Sequence, residues 1–359
     1  MAVDTIARPL EAGDRSALAR TAVVLSAVVL VLTMIVSLGI GPAWLSPREV
    51  VDLLLAGPST PSANPADAII VWQVRLPRVF IGALVGASLA TVGAMMQGLF
   101  RNPLADPGLV GVSAGAALAV VAMIVLGGSA LAPVTAIFQV HALPVAAFLG
   151  GLAGTVILYR IATRRGRTSV ATMLLAGIAI GALAAAMTGY LVYTSNDRQL
   201  RDITFWTLGG LSGASWTKLL VAGPMMLAAL AAVPTIAHGL NAIVFGEAEA
   251  YHLGVPVQRL KRLTILLVAL ATGAAVAVSG VVGFVGIVVP HLLRLAIGPD
   301  HRYLLPASAL LGGVLLLLAD MLARTIVAPA ELPIGIITAA AGAPFFLWIL
   351  MRRRGVLDI

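Results

Sequence analysis

The chain contains no cysteine, which excludes disulfides, thiolate metal sites and thiol nucleophiles. Charge is scarce: 11% of the 359 residues are Asp, Glu, Lys or Arg, against roughly 25% in a soluble globular protein. Lys218 and Lys261 are its only lysines, and neither follows a glycine. There is thus no glycine-rich phosphate loop ending in Gly-Lys-Ser/Thr, and the chain is not expected to hydrolyse ATP alone. The five histidines, His141, His238, His252, His291 and His301, form no HExxH pair. No nucleophile–base pair or metal set marks an intramembrane enzyme. The apolar runs also lack the carboxylates of a proton- or sodium-coupled carrier. The nearest, Asp320, lies four residues before Arg324, the spacing of an i,i+4 ion pair.

What is present is apolar. Hydrophobic residues make up 60% of the chain, and the mean hydropathy is +1.03. Only lipid can cover so much apolar surface, so the sequence predicts an all-α polytopic membrane protein in a lipid bilayer. Ten spans are expected, at about 21–40, 78–100, 108–127, 142–163, 169–193, 218–237, 262–283, 284–297, 303–325 and 334–351. The first run is too long for a cleavable signal and reads as a retained helix. The organisation is then a cytoplasmic segment 1–20, one transmembrane domain 21–351 and a cytoplasmic tail 352–359. With the N-terminus inside, 15 of the 23 basic residues fall on the cytoplasmic side, seven fall outside, and Arg294 lies within a span. That is the expected positive-inside bias, with both termini cytoplasmic. The formal charge of +8 then reflects loop arginines, and no nucleic-acid partner is expected.

An inverted repeat runs through the chain. RLPRVFIGALVGASLATVG (75–93) resembles RLKRLTILLVALATGAAVAVSG (259–280), but the two cross the bilayer in opposite senses, as in many transporters. Glycine pairs four apart, at Gly82/Gly86, Gly150/Gly154 and Gly177/Gly181, predict close helix packing. The stretch GLFRNPLADPGLVGVSAGAAL (98–118) joins two apolar runs through a polar loop. There Asn102 and Pro103 end one helix, and Asp106 is expected to cap the next, with Pro107 at its first position.

These motifs, with GFVGIVVPHLLRLAIGPDHRYLLPASALLGG, LLLLADMLAR and ELPIGIITAAAGAPFFLWIL, resemble the permease subunits of ABC importers for iron-siderophores, haem and cobalamin. The resemblance spans about residues 70–351. It implies a cobalamin-importer-permease fold in a bacterial inner membrane. It also implies a homodimer with two ATPase subunits on one side and a periplasmic binding protein on the other. No permanent cofactor is implied; ATP would sit on the partner subunits, and haem or another iron chelate would be cargo. The segments 195–216 and VAPAELP look most like haem permeases, with siderophore or cobalamin as the alternative. By position, Arg75, Arg78 and Arg324 match arginines that receive the binding protein. The segment 245–262, within a coupling loop at about 240–262, matches the part seated on the ATPase, and reads as two short helices broken at Gly254. Glu247, Leu253, Gly254 and Val255 are its coupling residues, the two apolar ones expected to be exposed. Val170 and Ala171 fall at the cytoplasmic gate, where cobalamin-type members carry small hydroxyl residues. The reading from a different class is a stand-alone secondary carrier or channel.

Overall fold

The computed structural model describes residues 15–58, 65–103, 105–106, 108, 111–165 and 167–352. Apolar runs this long cannot leave backbone groups unpaired in lipid, and they fold as helices. In order these are α1 (Ser16–Gly39), α2 (Pro47–Ala56), α3 (Pro65–Ile69), α4 (Leu76–Leu99), α5 (Val112–Leu126), α6 (Ala132–Phe138), α7 (Ala142–Ala162), α8 (Val170–Tyr193), α9 (Asp197–Leu208), α10 (Trp216–Ala232), α11 (Pro234–Ile243), α12 (Glu247–His252), α13 (Val257–Ser279), α14 (Val285–Ile297), α15 (His301–Thr325) and α16 (Ile334–Arg352). A small hairpin, β1 (Thr163–Arg164) paired antiparallel with β2 (Arg167–Thr168), joins α7 to α8.

Among the described residues six helical segments are long and apolar enough to cross a membrane. Read as one span, the bent pair α10–α11 is a seventh, and the shorter apolar α5, α14 and α16 lie at the other three positions expected. The span expected at 218–237 is broken: Pro234 starts a new helix, and the axis turns by 50°. His238, just past the span expected at 218–237, therefore sits inside α11.

α4, α13 and α15 form the centre; the apolar stretch containing α4 is 83% buried, against 17% for α8 and 22% for α1. Glycine sets the spacing. A side chain at Gly86 would run into the Gly312 carbonyl of α15, and one at Gly93 into Gly286 of α14. Gly150 and Gly154 admit the backbone of α5 and the turn before it, at Gly115 and Gly111. Two of the three glycine pairs thus act as expected, whereas Gly181 meets nothing within 4 Å. The two repeat copies are α4 and α13. Each is followed by a short helix, α5 or α14, that packs on the next long one, α7 or α15, and α4 and α13 also pack on each other.

Candidate functional site

One end of the molecule is fastened by the three arginines. A π-helical turn, Ile70–Arg75, leads into α4. It is held by the Trp216 indole N–H donating to the Trp72 carbonyl at 2.8 Å, and by Trp72 Nε1 donating to Leu53 O at 3.2 Å. Arg75 donates to the carbonyls of Leu38 (2.6 Å), Gly39 (2.9 Å) and Ala43, pinning the end of α1. Arg78 lies one turn on. Its Nε donates to Asp320 Oδ1 at 3.0 Å, and its Nη1 and Nη2 grip Glu331 at 2.9 and 3.0 Å. Arg324 closes on the other oxygen of Asp320 at 3.0 Å and donates to Ser37 Oγ at 2.8 Å. The i,i+4 pair read from sequence is therefore present. The three arginines are 4%, 5% and 2% exposed, so their charges are spent inside the subunit rather than offered free. Glu331, at 30%, is where the network meets the surface. A cavity of about 630 Å³ lies beside it, lined by Arg78, Asp202, Trp206, Gly209, Lys218 and Glu331.

The opposite end carries the segment matched to the ATPase contact. Gly246 has φ of +131° and starts α12; Gly254, at φ +83°, ends it. The Gly254 and Val255 N–H groups donate back to Tyr251 and Ala250 carbonyls, a glycine-closed helix terminus. Beyond Gly254 the chain does not form the second short helix expected; it enters the first turns of the 23-residue α13. The expected exposed apolar pair is also corrected. Leu253 is 68% exposed, but Val255 is 8% exposed because the turn tucks it back into the core. The exposed apolar side chains of this segment are instead Leu253, Val244, Phe245 and Tyr251. Glu247 pairs with buried Lys261 at 2.6 Å and borders a cleft of about 620 Å³ with Arg167, Tyr251, His252 and Arg259.

Val170 and Ala171 form the first turn of α8, half-buried and exposed respectively. Ser169 caps that turn by accepting the Thr172 N–H.

The 98–111 loop departs from expectation. α5 begins at Val112 after Gly111, whose φ is +77°, so Asp106 does not cap it. Asp106 Oδ1 instead accepts the Gly108 N–H at 2.7 Å, closing a local turn. Burial pushes its carboxyl above the usual carboxylate range, and the Gly108 bond only partly opposes this. Asn102 donates to Gln97 O at 3.1 Å and accepts from Ala105, with Pro103 in the turn between; Pro107 lies outside the described residues. Gln97 is the hub. Its side chain donates to Gly286 O at 3.0 Å and accepts from Arg294. His301, between the spans expected at 284–297 and 303–325, is the first residue of α15 and 2% exposed. Its Nδ1 lies 2.8 Å from Asn241 Oδ1, which already accepts the His301 backbone N–H. His291 is buried inside α14, with Phe345 edge-on at 6.4 Å.

Gln97, Asn241, Lys261, Arg294 and Glu331 organise these ends, yet no motif in the sequence marks them as site residues. Asn241 and Lys261 fall inside the predicted coupling loop, whereas Gln97, Arg294 and Glu331 signal only as isolated polar positions beside or within apolar runs.

The comparisons agree with the overall fold. The hemin transport system permease protein HmuU of Yersinia pestis is 50% identical over 293 residues, covering 82% of this chain and 86% of that protein. The cobalamin import system permease protein BtuC of Halobacterium salinarum is 44% identical over 307 residues, covering 86% and 80%. A solved metal-chelate-type ABC transporter in an inward-facing conformation superposes with a TM-score of 0.80 at 32% identity, covering 93% of this chain and 99% of that one. With residues 29–352 matching it as well, the chain belongs to the FecCD transport family.

Proposed function

We propose that this chain is the membrane permease subunit of an ABC importer and that its cargo is haem, or failing that another iron chelate or cobalamin. The observation that carries haem is the 50% identity to a hemin permease, against 44% and 39% to two cobalamin permeases. The proposed assembly is a homodimer in the bacterial inner membrane, with both termini cytoplasmic. The exposed Leu253–Tyr251 surface would sit on the ATPase subunits, with Glu247 and Gly254 setting its geometry. Val170 and Ala171 would close the cytoplasmic end of the path. The weakly buried α8, with Gly181 uncovered, would face the second copy. The test of cargo is ATP-driven uptake in liposomes that hold the whole complex, with haemin and cyanocobalamin in parallel. Haemin uptake well above cyanocobalamin uptake is expected, and the reverse order would refute haem.

The binding protein is proposed to dock at the end held by Arg75, Arg78 and Arg324. Because these arginines are internally paired, the network would act by shaping that face and leaving it cationic. Glu331→Gln removes a surface negative charge there and should speed docking of an acidic partner at low salt. A docking rate that is unchanged or slower would place the interface elsewhere.

A further inference from the structure

We propose that Lys261 is a positioning residue that carries movement of α12 to the start of α8; the inference rests on the coupling role proposed above. Thr168 is the last residue of the hairpin and is 3% exposed. Both of its backbone groups are held from one face of α13. Its N–H donates to Gln258 Oε1 at 2.9 Å, and its carbonyl accepts from Lys261 Nζ at 2.8 Å. Positions 258 and 261 are three apart and share a helix face. The next residue, Ser169, caps α8, and Val170 and Ala171 follow. A hairpin with two residues per strand has little stability of its own, so the clamp from α13 decides where α8 begins.

The same ammonium meets Glu247 Oε1 at 2.6 Å. Glu247 is the first residue of α12 and is 44% exposed on the surface that would receive the ATPase. Lys261 is 2% exposed and supplies the donors for both bonds. A buried ammonium that loses its carboxylate is left uncompensated, so displacement of Glu247 must draw Lys261 along or break a costly pair. Either way the Thr168 carbonyl, one residue before the cap of α8, feels it. The sequence-distant elements α12, β2 and α8 are thus joined through one side chain.

The test uses the complete complex of permease, ATPase and binding protein in liposomes, first assayed with haemin, cyanocobalamin and a ferric hydroxamate. In Lys261→Met, ATP hydrolysis should stay within about twofold of the parent while uptake per ATP falls about tenfold, a loss of coupling of ordinary size. Lys261→Arg should restore most of that ratio. A purely structural role would lower hydrolysis and uptake together and leave their ratio unchanged. Because the chain has no native cysteine, a spin label attached at Arg165→Cys before the chain is combined with its partners reports the hairpin alone. Its ATP-dependent spectral change should be present in the parent and absent with Lys261→Met. Glu247→Gln keeps an acceptor without the charge and serves if Lys261→Met does not assemble; uptake per ATP should then fall by a smaller factor. An unchanged uptake-to-hydrolysis ratio and label response in the variants, beside a parent that transports, would overturn the relay alone. A parent that takes up none of the three probes would overturn the importer reading and the relay with it.

Discussion

At the residue scale, stability at the arginine end turns on Asp320. It is fully buried between Arg78 and Arg324. Removing one partner of a buried ion pair costs roughly 3–5 kcal/mol, because the other charges remain. Asp320→Ala should therefore lower the thermal aggregation midpoint of the purified protein sharply, and added salt should not mimic the effect, since buried pairs are weakly screened. A midpoint like that of the parent would mean that water solvates this cluster. Asp300 gives a pH signature. Hydrogen bonding from Arg302 holds its carboxyl down at about 2, and it accepts the Arg302 N–H as the cap of α15. A depressed carboxylate stabilises above its unfolded value and loses that contribution as pH falls through its folded one. The stability gap between parent and Asp300→Ala should be constant from neutral pH to about 4 and narrow only below that. A gap that closes above pH 5 would refute the pairing. Spacing made the Asp320–Arg324 pair legible in the sequence. Arg78 joins it across 242 residues, a contact that no local pattern encodes.

At the element scale, the ten apolar helices were legible because lipid demands long apolar runs with every backbone group paired. What the pattern hid was conformation within them. The break at Val233–Pro234 sits inside a largely apolar run, and the late start of α5 depends on the positive φ of Gly111. Val255 and Leu253 look alike in sequence, yet the turn at Gly254 sends one inward and the other outward. That turn supports a prediction. Proline is locked near φ −65° and cannot adopt the +83° of Gly254. Gly254→Pro should leave assembly and binding-protein docking intact and abolish stimulation of the ATPase subunits by the docked binding protein. Normal stimulation would show that force enters through another segment. The α4–α15 contact is equally specific. Gly86→Val would drive two backbones apart, and overpacking of this kind costs about 1–3 kcal/mol. The aggregation midpoint should drop, whereas the same change at open Gly181 should leave the isolated subunit unaffected.

At the scale of the whole molecule, the fold has two differently built ends joined by a glycine-packed centre. One end spends its charge on internal fastening around Asp320. The other exposes aromatic and aliphatic side chains on and beside a short helix tied to the hairpin before α8. In the proposed importer, movement would pass between these ends and the energy would come from the ATPase subunits, as the sequence carries no glycine-rich phosphate loop. The carboxylate most suited to ion coupling is already neutralised by two arginines. The most direct measurement is haemin uptake into liposomes holding this chain alone, under an imposed proton or sodium gradient, compared with liposomes holding the chain, its ATPase subunits and binding protein with ATP. The account predicts no uptake in the first and robust uptake in the second. Gradient-driven uptake by the chain alone would contradict it.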